Sequence, residues 1–113
     1  NIFLDDPTGD AEVLVLGWGS TYGPIGAACE LLRKDGLKVA QAHIRLVNPF
    51  PADTGEVLKR YKKVVIPEMN LGQLAMLIRA QFLVDAQSLT KVAGQPFKST
   101  EIADAVKDVI ANV

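Results

Sequence analysis

The order of apolar runs in this 113-residue chain predicts an α/β fold, a three-layer α/β/α sandwich with a mainly parallel sheet. Three observations predict it. Short apolar runs at Val13–Leu16, Lys38–Ile44, Val64–Ile66 and Ser88–Val92 alternate with segments whose apolar residues recur at helical spacing. The segments between them suit helical crossovers, which imply parallel neighbours joined right-handedly. A hydrophobic content of 49% is enough for one domain with a core of its own.

Taken in order, Asn1–Asp10 is polar and turn-rich around Asp6-Pro7 and Thr8-Gly9-Asp10, and it lacks an initiator Met. Residues 1–11 are therefore expected to be a linker from a preceding domain, residues 12–113 to be the α/β domain, and the chain to be a fragment of a larger polypeptide. Val13–Leu16 reads as a strand buried on both faces. It stops at Gly17, and Gly17, Gly19 and Gly23 are expected to permit tight backbone angles in the turn that follows. Pro24 suits the first turn of a helix reaching about Asp35, with Ile25, Ala28, Cys29 and Leu32 inward and Gly36 as its left-handed stop.

Lys38–Ile44 is the second strand, and its carboxyl end leads into the rigid Asn48-Pro49-Phe50-Pro51 loop. Asp53 and Glu56 have the spacing of a capping box for a helix through Val57, Leu58 and Tyr61. Val64–Ile66 is the third strand. A long amphipathic helix follows, with Leu71, Leu74, Ile78 and Phe82 on one face and Asn70 and Gln73 at capping-box spacing. Ser88–Val92 is the fourth strand and Gly94–Phe97 a turn. Ser99 is expected to cap a last helix with Ile102, Val106, Val109 and Ile110 inward.

Composition excludes several functions. A net charge of -1 without a basic run offers nothing to nucleic acid or to an anionic membrane. One cysteine allows neither an internal disulfide nor a cysteine-bound cluster. No apolar run nears the roughly 20 residues of a membrane span, and a cytoplasmic setting is expected.

In a parallel sheet, ligands meet the chain beyond the carboxyl ends of the strands. Three loops lie there, and their residues are the candidate ligand or interface positions: Gly17, Trp18, Gly19, Ser20, Thr21, Tyr22 and Gly23; His43, Arg45, Asn48 and Pro49; Glu68, Asn70, Gly72 and Gln73. The first loop spaces its glycines G-x-G-x-x-x-G, which differs from the dinucleotide fingerprint, and no acid ends the second strand. Helix-start amides binding a phosphate or carboxylate stay open. Ser20 lacks the spacing of a nucleophile elbow and reads as a capping residue. His43 alone makes no metal site and reads as a satisfied histidine. Glu68, at a strand end beside a proline, either meets a partner's amide or cation or is solvated. Trp18 and Tyr22 suit an interface anchor or a lid, with core packing as the competing reading. No residue is assigned as catalytic and none as a metal ligand.

Four ordered segments carry a resemblance. Val15-Leu-Gly-Trp-Gly-Ser-Thr-Tyr-Gly23, Ile44-Arg-Leu-Val-Asn-Pro-Phe-Pro51, Val65-Ile-Pro-Glu-Met-Asn-Leu-Gly-Gln-Leu74 with Ile78-Arg79, and Lys91-Val-Ala-Gly-Gln-Pro-Phe97 together resemble the C-terminal domain of the α subunit of 2-oxoacid:ferredoxin oxidoreductases, the 2-oxoglutarate type above others. That domain is transketolase C-terminal-like. The resemblance covers nearly all of 12–113 and implies a parent enzyme that converts a 2-oxoacid and coenzyme A to acyl-CoA and CO2, reducing ferredoxin. It implies thiamine diphosphate, Mg2+, coenzyme A and a [4Fe-4S] cluster for the whole assembly, with none held by this chain, which has neither a Gly-Asp-Gly…Asn motif nor a cysteine set. The implied partners are the rest of the α subunit, a thiamine-binding β subunit and, through the complex, ferredoxin. The domain's implied role is assembly and active-site support, without activity in isolation. The alternatives are the matching domain of a transketolase or of a 2-oxoacid dehydrogenase β subunit, or a stand-alone anion- or nucleotide-binding module.

Overall fold

Strand parity divides the core into two halves. The computed structural model describes residues 2–45, 50–68, 72–90 and 97–113. Its elements are β1 (Phe3–Asp5), β2 (Val13–Trp18), α1 (Tyr22–Lys34), β3 (Ala40–Ile44), α2 (Thr54–Leu58), β4 (Lys63–Glu68), α3 (Gln73–Phe82), β5 (Ala86–Thr90) and α4 (Ser99–Ala111). Along β2, β3 and β4, Leu14, Leu16, Ala40, Ala42, Ile44, Val64 and Ile66 point to the face covered by α2 and α3. The alternate residues Val13, Val15 and Val65 point to the face covered by α1 and α4, where Ile25, Cys29, Ile102 and Val106 close the core. Both faces are apolar because both are roofed by helices.

The sheet has five strands in the order β1-β3-β2-β4-β5. The last four strands in chain order pair in parallel, and β1 joins the edge antiparallel to β3. From β2 the chain crosses to one side through α1, and from β4 to the other side through α3. The crevice between these two carboxyl ends is the topological switch point of the sheet.

Within the stretch expected as a linker, Phe3–Asp5 forms an edge strand of this sheet. Ile2 is buried, its amide donates to Asp53 Oδ1 at 2.9 Å, and Phe3–Asp5 pairs in register with Gln41–His43. Arg33 fastens the strand from α1: its Nη1 reaches Asp5 Oδ2 at 3.1 Å and its Nη2 donates to the Asp5 and Val39 carbonyls at 3.2 and 2.8 Å. Tyr61 donates its hydroxyl to Asp6 Oδ2 at 2.9 Å. Burial, then this neighbouring carboxylate, raises the Tyr61 pKa, so the phenol stays protonated.

Helix ends depart from expectation at three places. Asp53 makes no side-chain cap for α2, because its carboxylate is taken by Ile2, and the helix ends at Leu58, short of Tyr61. Ser99 is already helical; the residue before it, Lys98, stands at the cap and donates its amide to Glu101 Oε1 at 2.9 Å. Gly72, left-handed at φ 78, precedes α3 and makes Gln73 its first residue, so Gln73 is no partner in a cap. Gly36 does stop α1 at φ 82, with its amide bonded to Arg33 O and the Leu37 amide to Leu32 O. The expectations for Asn48, Pro49, Asn70 and the turn at 94–96 lie outside the described residues.

Candidate functional site at the carboxyl ends of the strands

The end of β2 is held by one hydroxyl. Thr21 Oγ1 accepts from the Trp18 amide at 3.2 Å and donates to the Trp18 carbonyl at 2.9 Å, folding Gly19–Thr21 into a single 3-10 turn. The capping role expected of Ser20 is absent: Ser20 is exposed in that turn, and the residue ahead of α1 is Thr21, which makes no side-chain cap. The three glycines differ in purpose. Gly19 is the one of them at positive φ, 64°. Gly17 is needed for space, since a Cβ there would lie 2.6 Å from Ile25 Cδ1, 3.0 Å from Thr21 Oγ1 and 3.2 Å from His43 Nδ1. Gly23 lies in the first turn of α1 with open space around it and needs neither.

The register of β1, β3 and β2 sets Phe3, His43 and Gly17 side by side on the α1 face. Tyr22, the first residue of α1, packs its ring edge-on against His43 at 5.2 Å and against Phe3 at 5.8 Å. His43 is not the satisfied histidine expected. Among the described residues its Nδ1 is buried with no hydrogen-bond partner, and burial, then the Arg45 charge, lowers the pKa of its imidazole. Phe3 is 45% exposed, Trp18 36% and Tyr22 50%, so Trp18 and Tyr22 do not serve as core, and Phe3 joins them. Arg45 is exposed at the same end. Sequence reasoning missed Phe3 because it sat in the supposed linker; the alternation of Ile2 and Leu4 around it was the available signal.

Glu68 is neither solvated nor free for a partner. It ends β4 on the α3 face at 2% exposure. Its Oε1 accepts from the Leu74 amide at 2.7 Å, and its Oε2 accepts from the Ala75 amide at 3.2 Å and the Ser88 hydroxyl at 3.1 Å. The carboxylate thus fills the anion position at the start of α3 that a bound ligand would otherwise take. Ser88, which completes this arrangement, was not singled out from sequence; it sits 20 residues downstream on the neighbouring strand.

Other chemistry is sparse. Cys29 is buried, and desolvation pushes its thiol up to about 11, which makes it a small core residue. Among the described residues no three His, Cys, Asp or Glu side chains converge. A groove of about 620 Å³ lies at the opposite, amino end of the sheet. Its Lys62 and Lys63 are ion-paired at 2.6 Å with Glu12 and Asp85, which leaves no free cation there among the described residues. Among the described residues, no helix is long and apolar enough to cross a membrane.

Five strands in this order, roofed on both sides by helices, define an α/β domain with a mainly parallel sheet. A split-gene transketolase has the same fold, with TM-score 0.72 over 98% of this chain and 41% of its own, at 14% identity. The chain belongs to the family described as pyruvate:ferredoxin oxidoreductase core domain II, whose model matches residues 11–102. It is similar to the 2-oxoglutarate oxidoreductase subunit KorA of Mycobacterium tuberculosis H37Rv, with 59% identity over 96% of this chain and 16% of that subunit. It is also similar to the 2-oxoglutarate:ferredoxin oxidoreductase of Magnetococcus marinus, solved with 2-oxoglutarate, coenzyme A and succinyl-CoA bound. That likeness has TM-score 0.89 and 36% identity, and covers 97% of this chain and 20% of that one. The chain thus spans a sixth to a fifth of the length of these relatives.

Proposed function

We propose that this chain is one domain of the α subunit of a 2-oxoacid:ferredoxin oxidoreductase of the 2-oxoglutarate type, and that it supports assembly and the active site without performing chemistry itself. In this reading the assembly converts 2-oxoglutarate and coenzyme A to succinyl-CoA and CO2, passing the two electrons to ferredoxin. Thiamine diphosphate, Mg2+, coenzyme A and the [4Fe-4S] cluster belong to other parts of it. Residues 1–11 remain the connection to the domain before, although part of that stretch is also a strand of this one.

The observation that carries the support role is the division of labour at the strand ends. Among the described residues the one buried carboxylate there, Glu68, is engaged by α3 and Ser88, while Phe3, Trp18 and Tyr22 stand exposed with Arg45 at the same end. Exposed aromatics with an arginine at the same end of the sheet have the composition of an interface anchor. The expected contacts are the rest of the α subunit and the thiamine-binding β subunit, with ferredoxin reached through the complex.

The test uses the complete enzyme. Trp18→Ala with Tyr22→Ala is expected to weaken subunit association by native mass and to lower 2-oxoglutarate- and coenzyme A-dependent reduction of a viologen dye, with the circular dichroism unchanged. A double variant that assembles and turns over like the parent overturns the support role. Dye reduction by the isolated 113-residue chain would overturn it as well.

A further inference from the structure

Helix α3 carries a second apolar stripe on the side away from the core. Leu74, Ala75 and Ile78 are buried against the sheet. On the outer side Met76 is 62% exposed, Leu77 42% and Leu83 87%, with Ala80 exposed between them. Met76 and Ala80 stand at i and i+4 on one side of the helix, Leu77 is i−3 from Ala80, and Leu83 follows at the C-cap. Gln73–Phe82 contains no Asp or Glu, and its single cation, Arg79, donates Nη1 to the Ala86 carbonyl at 2.9 Å. Leu83 is also the one non-glycine residue at positive φ among those described, at 56°. A helix end in water ordinarily uses Gly or Asn at such a position. Beside α3, β5 is the last strand of the sheet.

We propose that the Met76–Leu77–Ala80–Leu83 face of α3 is an intramolecular interface, covered in the complete subunit by an apolar surface of the same polypeptide. The inference rests on the reading of this chain as one domain of a longer subunit. Two observations select this occupant. The absence of any carboxylate on α3 leaves a basic partner nothing to pair with, so the covering surface is apolar. The exposed side chains offer only a few hundred square ångströms, against the roughly 800 Å² per partner that a stable free interface buries. A second copy or a separate chain would be held poorly by so small a patch. A tethered surface needs far less, because the linkage supplies the effective concentration. In the M. tuberculosis relative the matching segment is 16% of the subunit, which leaves most of that polypeptide outside it.

Mild peroxide oxidation of the complete subunit tests the proposal, with Met76 sulfoxide quantified by peptide mass spectrometry, because oxidation of methionine follows exposure. The subunit is measured alone, within the assembly, and denatured. Met76 is expected to oxidise at least about ten-fold more slowly in the native subunit alone than when denatured, independently of concentration. Leu83→Asp is expected to restore most of that rate. Three results overturn the proposal: native Met76 oxidising at the denatured rate, protection that appears only with another subunit, or protection that grows with concentration. Intact mass and dye reduction on the same preparation report separately on the oxidoreductase reading. A longer chain without 2-oxoglutarate activity, but with Met76 shielded, would discard that activity and leave the interface standing.

Discussion

Replacing Glu68 by Gln removes one charge from a buried cap and changes almost nothing in shape. The native carboxylate accepts two helix amides and one hydroxyl. Gln keeps one oxygen, which the Leu74 amide at 2.7 Å should retain. The new NH2 then faces two donors. Ser88 can rotate its hydroxyl to accept, but the Ala75 amide cannot, and an unsatisfied buried donor costs about 1–3 kcal/mol. Loss of the anion at the helix start adds about 0.5–1 kcal/mol. The sum is about 1.5–4 kcal/mol, which for a domain of this size lowers Tm by roughly 6–17 °C. Glu68→Ala loses every acceptor and leaves a void, and is expected to cost more than the Gln variant. Urea unfolding at neutral pH, followed by circular dichroism, measures both. If Glu68→Gln lies within about 0.5 kcal/mol of the parent, the carboxylate is not what holds the start of α3, and the assignment fails.

Three further outcomes follow from the same end of the molecule and its core. Gly17→Ala is expected to cost about 1–3 kcal/mol by overpacking, since Ile25, Thr21 and His43 are already in place; Gly23→Ala is expected to be neutral or to stabilise by up to about 1 kcal/mol, because Gly23 is helical and unobstructed. Equal effects in the two unfolding curves would contradict the different purposes assigned to them. His43 has a folded pKa below its unfolded value, so the unfolded chain binds the extra proton first. The contribution of His43 to stability is whole above the unfolded value near 6.5 and falls as pH drops from there through the folded value. Unfolding titrations between neutral and mildly acid pH should show that slope, and His43→Gln should flatten it; an unchanged slope in the variant removes His43 as its source. Cys29, with its thiol near 11 and fully buried, is expected to resist iodoacetamide in the native chain at neutral pH and to react on unfolding. Rapid native labelling, read by mass, would show that the α1 face opens.

Much of the fold was legible because its signals are local. The runs Val13–Leu16 and Val64–Ile66 are apolar on both parities, and that alone implies a strand roofed on both sides. Ile25, Ala28, Cys29 and Leu32 state their helix by spacing, and all four are buried on it. Gly36 declares the end of α1 because few other residues tolerate φ 82. The family, too, was readable, since four short motifs in order lie within one chain. The position of the candidate loops followed from the parallel order of the strands, though not what each side chain does there.

What the tertiary structure decided is what depends on partners far away in the chain. Phe3–Asp5 is only three residues long, too short to show a period, and becomes a strand because β3 offers an edge and because Asp53, 51 residues from Ile2, accepts its amide. Glu68 looked equally suited to solvent or to a partner. Its burial was decided when β4 delivered it under the first turn of α3 and β5 brought Ser88 alongside. His43 reads as an ordinary strand-end histidine until Tyr22 and Phe3 close over it and leave Nδ1 without a donor among the described residues. Periodicity along the chain determines which face a residue takes. Whether a polar group on that face meets water, a helix end or an aromatic ring is settled by the neighbour that packs there, and that neighbour is chosen by the whole fold.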